Sequence, residues 1–184
     1  RDLATKRKII LIFDECTTGF RQCFGGLHKL TNINPDMAIL GKALGNGYAI
    51  TAILGRESVM NSAKKSFMSS TFWSERIGPA AALKTLEIME REKPWKRIAY
   101  LGNKLFLIWK KLATKHHLSI KISGLPSLAR FDFTSKNSQA YKTFVTQEML
   151  KHNFLAANVV YLSISHNEKI LKKYEKKSQA NNKS

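Results

Sequence analysis

Ile9-Ile10-Leu11-Ile12-Phe13-Asp14-Glu15 is an unbroken apolar run that ends on two carboxylates. It is short and rich in β-branched residues, which predicts a strand buried on both faces of a parallel sheet. In such sheets functional groups collect at the carboxyl ends of strands, where Asp14 stands. Strand alternation sends the rival carboxylate, Glu15, to the opposite side. Beyond the turn-forming Asn32-Ile33-Asn34-Pro35-Asp36, a second short apolar run, Met37–Leu40, leads into Gly41-Lys42-Ala43-Leu44-Gly45-Asn46-Gly47. Two neighbouring parallel strands would therefore deliver a carboxylate and an amine to one edge of the sheet. An amine on a flexible stem, among glycines that let backbone approach a ligand, suits Schiff-base chemistry with an aldehyde. Taken alone, the same lysine is an ordinary surface residue of a Gly-rich turn.

Working outward, residues 1–8 read as a charged helix end. The segment from Thr17 to Leu30, with Gly19, Gly25 and Gly26, reads as irregular chain near a ligand, with His28 as a hydrogen-bonded packing residue. Tyr48–Leu54 is expected to be a strand, Ser58–Lys65 a short helix, and the stretch from Gly78 through Arg91 a longer one. Pro94-Trp95 reads as a breaker before a long amphipathic helix, Lys96–Lys115, whose apolar face is Ile98, Leu101, Leu105, Ile108 and Leu112. His116 and His117 end it and point different ways, so a shared metal is not expected. Strands are expected around Ile120–Ile122, Leu128–Phe133 and Val159–Ile164, a helix carrying Tyr141, Val145 and Met149, and a basic helix from Glu168. The domain reading is 1–92 as part of a large domain, 93–118 as a connecting helix, 119–176 as a small α/β domain, and 177–184 as a disordered basic tail.

The 184 residues are 43% hydrophobic, enough for a real core, yet carry a formal net charge of +18. The charge is scattered lysine, concentrated only near the C-terminus, with no helix-turn-helix, zinc-finger or RNP-like pattern, so nucleic acid is not the expected partner. Cys16 and Cys23 lack metal-ligand or disulfide-framework spacing and read as reduced thiols of a cytoplasmic protein. The longest apolar run is too short to span a bilayer, and no signal peptide is visible.

Two longer stretches carry a resemblance. Ile12-Phe13-Asp14-Glu15-Cys16-Thr17-Thr18-Gly19-Phe20-Arg21 and Asn34-Pro35-Asp36-Met37-Ala38-Ile39-Leu40-Gly41-Lys42-Ala43-Leu44-Gly45-Asn46-Gly47 resemble signatures of the class III aminotransferases, the family that also holds the glutamate-1-semialdehyde aminomutases. The spacing of Asp14 and Lys42 resembles the family's too. The likeness continues through Ser69-Ser70-Thr71 and Gly78-Pro79-Ala80-Ala81-Ala82-Leu83, and more weakly to Tyr161-Leu162-Ser163.

The resemblance implies an α/β fold of the fold type I, aspartate-aminotransferase-like class, with part of the large domain's parallel-type sheet and the small C-terminal domain. It implies pyridoxal 5′-phosphate as cofactor, carried on Lys42 as an internal aldimine, with a buried Asp14 holding the pyridine nitrogen protonated. Burial beside other positive charge would keep Lys42 neutral enough to exchange. Thr71, with Ser69 and Ser70 as register alternatives, matches a threonine that reaches the cofactor phosphate across a homodimer interface, and hydroxyls before a helix N-terminus suit that role. The implied partners are a small-molecule amino donor and an oxo acceptor. Thr71-Phe72-Trp73-Ser74-Glu75-Arg76-Ile77-Gly78-Pro79 departs from the pattern of strict aminomutases, which favours amino transfer between two molecules; intramolecular transfer by an aminomutase is the alternative. The chain opens without Met, and the family's lysine falls past mid-chain, so the chain reads as a fragment lacking the N-terminal half. A non-catalytic remnant or a basic binding protein is the remaining reading. Arg130 is the nearest candidate for a substrate arginine and equally a structural one.

Overall fold

A single five-residue helix, Asp2–Lys6 (α1), leads into the first strand, Ile12–Glu15 (β1). A computed structural model describes residues 1–180, and the chain divides into two compact units, residues 1–95 and residues from 96 onward.

In the first unit β1 pairs in parallel with Met37–Leu40 (β2), and β2 pairs antiparallel with Ala52–Gly55 (β3), in the order β1-β2-β3. The register sets Ile12 beside Met37, Asp14 beside Ile39 and Ile39 beside Ile53. Asp36 locks the start of this pairing. Its carboxylate accepts from the Leu11 amide at 2.8 Å and from Arg1 at 2.9 Å, with Arg56 at 3.3 Å, while the Asp36 and Met37 amides donate back to the Leu11 carbonyl. The Leu11 amide foremost, then the Arg1 guanidinium, holds the Asp36 carboxyl below its ordinary range. From the sequence alone Asp36 reads only as turn chemistry.

One face of this sheet is packed. Leu40 points into a core with Phe20, Leu44 and Ala82, joined by Leu86 and Met89 of the helix Ile77–Glu92 (α3), and Ala38 on the same face is buried. A short helix, Glu57–Met60 (α2), and a 3₁₀ turn over Asn61–Lys65 lie between β3 and α3. The opposite face corrects an expectation. Ile9, Ile10 and Ile12 are each more than half exposed, so the first strand is not buried on both sides. An apolar run states that a strand prefers burial, and only a covering layer can supply it.

The second unit begins within a helix that runs from Pro94 to Lys115 (α4). Pro94 starts this helix rather than breaking it, since the first turn needs no amide donor there and the ring's fixed φ is helical. Its buried face is Ile98, Leu101, Leu105, Trp109 and Leu112, and the expected Ile108 is partly buried against the same core. The helix is thus part of the second unit's core, not only a connection. An antiparallel sheet, Ile120–Leu125 (β4), Leu128–Phe133 (β5) and Val159–Tyr161 (β6), packs on it together with the helices Ser138–Lys151 (α5) and Glu168–Ala180 (α6). Leu101, Leu105 and Leu162 are fully buried, each worth about 1.5–3 kcal/mol relative to exposure. Gly102 lets α4 lie against the β4–β5 turn, because a Cβ there would fall 1.8 Å from the Pro126 carbonyl oxygen. Trp109 meets Phe131 edge-on at 4.9 Å, and its indole N–H donates to the Tyr174 hydroxyl at 3.0 Å.

Residues 177–180, expected as tail, continue α6, since Lys111 pairs with Glu175 and Lys115 donates to Gln179 along that helix. Residues 181–184, the rest of that tail, lie outside the described residues.

Candidate active site

Asp14 sits at the carboxyl end of β1, and Lys42 follows the carboxyl end of its parallel neighbour β2 by two residues. The loop leaving β1 links them. One Asp14 oxygen accepts the Cys16 amide at 3.0 Å, and the Lys42 ammonium donates to the Thr17 hydroxyl at 2.5 Å. Lys42 adopts φ +43°, a left-handed conformation that costs a non-glycine residue about 1–3 kcal/mol and that collects at functional sites. Gly41 beside it is extended, and a Cβ there would come within 3.4 Å of the Cys16 sulfur. Cys16 therefore stands between the carboxylate and the amine. Burial pushes its thiol pKa up, a hydrogen bond and the charge of Asp14 push it further, and the Lys42 charge pulls it down. Sequence reasoning assigned no role to Cys16 or Thr17. Both follow Asp14-Glu15, where the run Cys16-Thr17-Thr18-Gly19 signals a turn that folds back on the strand end.

Two expectations about these residues are corrected. Asp14 is exposed rather than buried, because it projects from the uncovered face of the sheet. Lys42 is exposed as well.

Glu15 alternates to the packed side, where it is only 3% exposed. Its carboxylate accepts from the Leu27 amide, from the His28 amide at 3.0 Å and pairs with His28 Nδ1 at 2.6 Å. Burial alone would raise its pKa. The His28 and Leu27 hydrogen bonds outweigh that and hold it below the ordinary glutamate range. His28 also meets Phe13 edge-on, so this pair fastens the 27–30 turn to β1.

Thr71 lies in an exposed turn, and among the described residues no hydrogen bond or ion pair ties it to Asp14 or Lys42. The helix start that was expected to hold phosphate is already filled. Glu75 accepts the Ile77 amide and, at 2.9 Å, the Gly78 amide at the head of α3. Those donors hold the Glu75 carboxyl below its ordinary range, the Gly78 amide contributing most. A carboxylate satisfies the orphan amides of a helix start as well as a phosphate does. Arg130 forks onto Asp132 of its own strand at 2.7 and 2.8 Å, which gives it a structural partner. A cavity of about 720 Å³ in the second unit, lined by α4, α5 and the sheet, holds neither Asp14 nor Lys42. Cys16 and Cys23 are free thiols. Among the described residues no His, Cys, Asp and Glu cluster could hold a metal, and no helix is long and apolar enough to cross a membrane.

Comparison with known proteins places the chain. The profile of the class-III aminotransferases matches residues 1–171. The 3-aminobutyryl-CoA aminotransferase of Cloacimonas acidaminovorans is 36% identical over 157 residues, covering 83% of this chain and 38% of that one. A glutamate-1-semialdehyde 2,1-aminomutase of Opitutus terrae is 31% identical over 173 residues, covering 90% and 40%. Among solved structures, the FumI protein of Sphingopyxis sp. MTA144, in its PLP internal aldimine form, superposes with a TM-score of 0.88 at 22% identity, over 97% of this chain and 44% of that one. The acetylornithine aminotransferase of Elizabethkingia anophelis gives 0.82 at 26% identity, over 96% and 47%. The chain thus spans about two-fifths of the curated relatives it matches, and its fold is that of the fold type I PLP-dependent transaminases. With a family match over almost its whole length and the paired strand ends that carry Asp14 and Lys42, this chain belongs to the class III aminotransferase family.

Proposed function

We propose that this chain supplies the amine and carboxylate of a pyridoxal-phosphate site for amino-group transfer between a small-molecule amine or amino acid and an oxo compound. The observation that carries this is the pairing of β1 with β2, which sets Asp14 and Lys42 at adjacent strand ends joined through Cys16 and Thr17. The residues fit the cofactor's chemistry. Asp14 is an exposed acceptor suited to a protonated ring nitrogen, and Lys42 is a primary amine suited to an aldehyde carbon. The cofactor, when bound, supplies the electron sink. Lys42 then moves a proton to or from the substrate carbon, and Thr17 orients its nitrogen through the bond already present. Phosphate binding at the start of α3 does not fit, because Glu75 occupies those amides. We propose Thr71 as a phosphate contact only across a homodimer interface, where its exposed turn would face a partner's site.

The amino donor, the oxo acceptor and a cytoplasmic location are part of the same proposal. Its alternative is intramolecular transfer of the glutamate-1-semialdehyde aminomutase kind, which the 31% identity to such an enzyme supports. The test is direct. Pyridoxal phosphate is added, the adduct is reduced with borohydride, and modified peptides are mapped by mass spectrometry. The label is expected on Lys42 well ahead of the other lysines, and Asp14→Asn is expected to lower it. Label spread evenly over surface lysines would refute the assignment.

A further inference from the structure

We propose that the cavity within the second unit is a binding site for a neutral, aromatic small molecule. Its volume is about 720 Å³, and every described residue lining it lies between Trp109 and Ser178. Small-molecule sites occupy roughly 300–1,000 Å³. Close-packed interiors leave few voids larger than a water molecule. The same unit packs Leu105, Ala129 and Leu162 to 1% exposure or less, so the opening is a feature of this fold rather than general slackness.

One wall is set before any ligand arrives. Trp109, Phe131, Phe133 and Tyr141 meet edge to face in succession, with ring centroids 4.9, 5.6 and 5.4 Å apart. Such contacts fix the ring planes against one another and leave edges and faces for a further ring. Another wall is α5, which lines the cavity with Tyr141, Phe144, Val145 and Met149 at the spacing of an apolar helical stripe. Met149 is 2% exposed, whereas Tyr141 and Phe144 are 44% and 53% exposed, so the cavity opens to solvent along this stripe. An apolar occupant would complete its burial.

The charge of the lining sets the class of ligand. The chain carries 31 lysines and arginines, yet none of the described residues lining the cavity is one. The one carboxylate among them, Glu148, already pairs with Lys151. The Ser119 hydroxyl is engaged with Thr134, and the Ser135 hydroxyl accepts the Asn137 amide. A charged ligand would therefore give up its hydration without a partner to replace it, whereas a neutral ring would not. The end of the chain is the wrong occupant, because Asn181, Asn182, Lys183 and Ser184 are polar or charged. A peptide helix is also wrong: at about 10 Å across and about 1.5 Å per residue, roughly six residues would fill the space, too few for a stable helix.

The experiment titrates the whole chain with two fluorescent probes of one ring skeleton, neutral phenylnaphthylamine and its anionic relative anilinonaphthalene sulfonate. The neutral probe is expected to saturate at one per chain and to bind roughly tenfold tighter, or more, than the sulfonate. A net charge of +18 favours the anion at any other surface, so this order separates the cavity from general adsorption. Hydrogen exchange is expected to slow along α5 when the neutral probe is bound. Ala113→Phe, which places a ring in the cavity from α4, and Phe144→Asp, which sets a carboxylate at its open side, are each expected to weaken that probe roughly tenfold or more. Phe144 lies outside the packed core, and a urea midpoint near wild type checks that its variant still folds. Sulfonate binding as tight as that of the neutral probe, or binding untouched by both variants, would overturn the proposal. So would neutral-probe binding that does not saturate at one per chain, or no gain in its fluorescence at all. None of these readouts depends on amino transfer.

Discussion

Replacing Glu15 by Gln should weaken the first unit far more than replacing Asp14 by Asn, although the two carboxylates are neighbours in sequence. Glu15 gathers three N–H groups, from the Leu27 amide, the His28 amide and the His28 ring, at a nearly fully buried position. Glutamine keeps the shape but offers one oxygen, so its NH₂ must face at least one of those donors. Hydrogen bonds to a charged group contribute about 1.5–3 kcal/mol each, and an unpaired buried donor adds its desolvation cost. The expected loss is about 3 kcal/mol at neutral pH, and amide exchange at Leu27 and His28 should accelerate roughly a hundredfold. The pH dependence follows from linkage. The folded-state pKa of Glu15 is depressed, so its contribution is fully present above the unfolded glutamate pKa of about 4.3 and is lost as pH falls through the lower folded value. Gln does not titrate, so the gap between wild type and variant should close in acid. Asp14 is exposed with one local backbone bond, so Asp14→Asn should leave both measurements near wild type. Urea unfolding of the first unit and residue-resolved exchange test the pair. A Glu15→Gln effect below about 0.5 kcal/mol, the size of an ordinary surface substitution, or a gap unchanged by acid, would refute this reasoning.

Cys16 offers a reporter of the distance between the two proposed site residues. Its thiol is pushed up by burial and Asp14 and pulled down by Lys42, so Asp14→Asn should speed iodoacetamide alkylation at neutral pH and Lys42→Ala should slow it. Gly102→Ala should destabilise the second unit by about 3 kcal/mol, the upper part of the overpacking range, because the added methyl meets the Pro126 backbone; a urea midpoint near wild type would exclude the close approach. Tyr174→Phe removes the acceptor of the buried Trp109 N–H and should cost about 1–3 kcal/mol in the same assay. Burial raises the Tyr174 pKa, so wild-type stability should fall as pH rises above about 10, the unfolded tyrosine value, and the phenylalanine variant should lack that component.

Local patterns spoke clearly wherever short-range chemistry decides the outcome. The apolar run before Asp14, the proline-led turn before Met37 and the 3.6-residue spacing along α4 each announced an element, because periodicity depends only on neighbours in the chain. The placement of a carboxylate and an amine at adjacent strand ends was legible for the same reason, since parallel strands end on the same side of a sheet. That Asp14 and Glu15 face opposite sides also followed from alternation, but which of the two is buried did not.

Other features were decided only by folding, because they depend on residues far apart in sequence. No local pattern states that Asp36 would hold Leu11 and Arg1, that Glu75 would fill the start of α3, or that Cys16 would come to rest beside Gly41. Nor could the apolar run of β1 say whether its second face would be covered. Hydrophobicity records what a residue prefers, and the tertiary structure alone records what it meets.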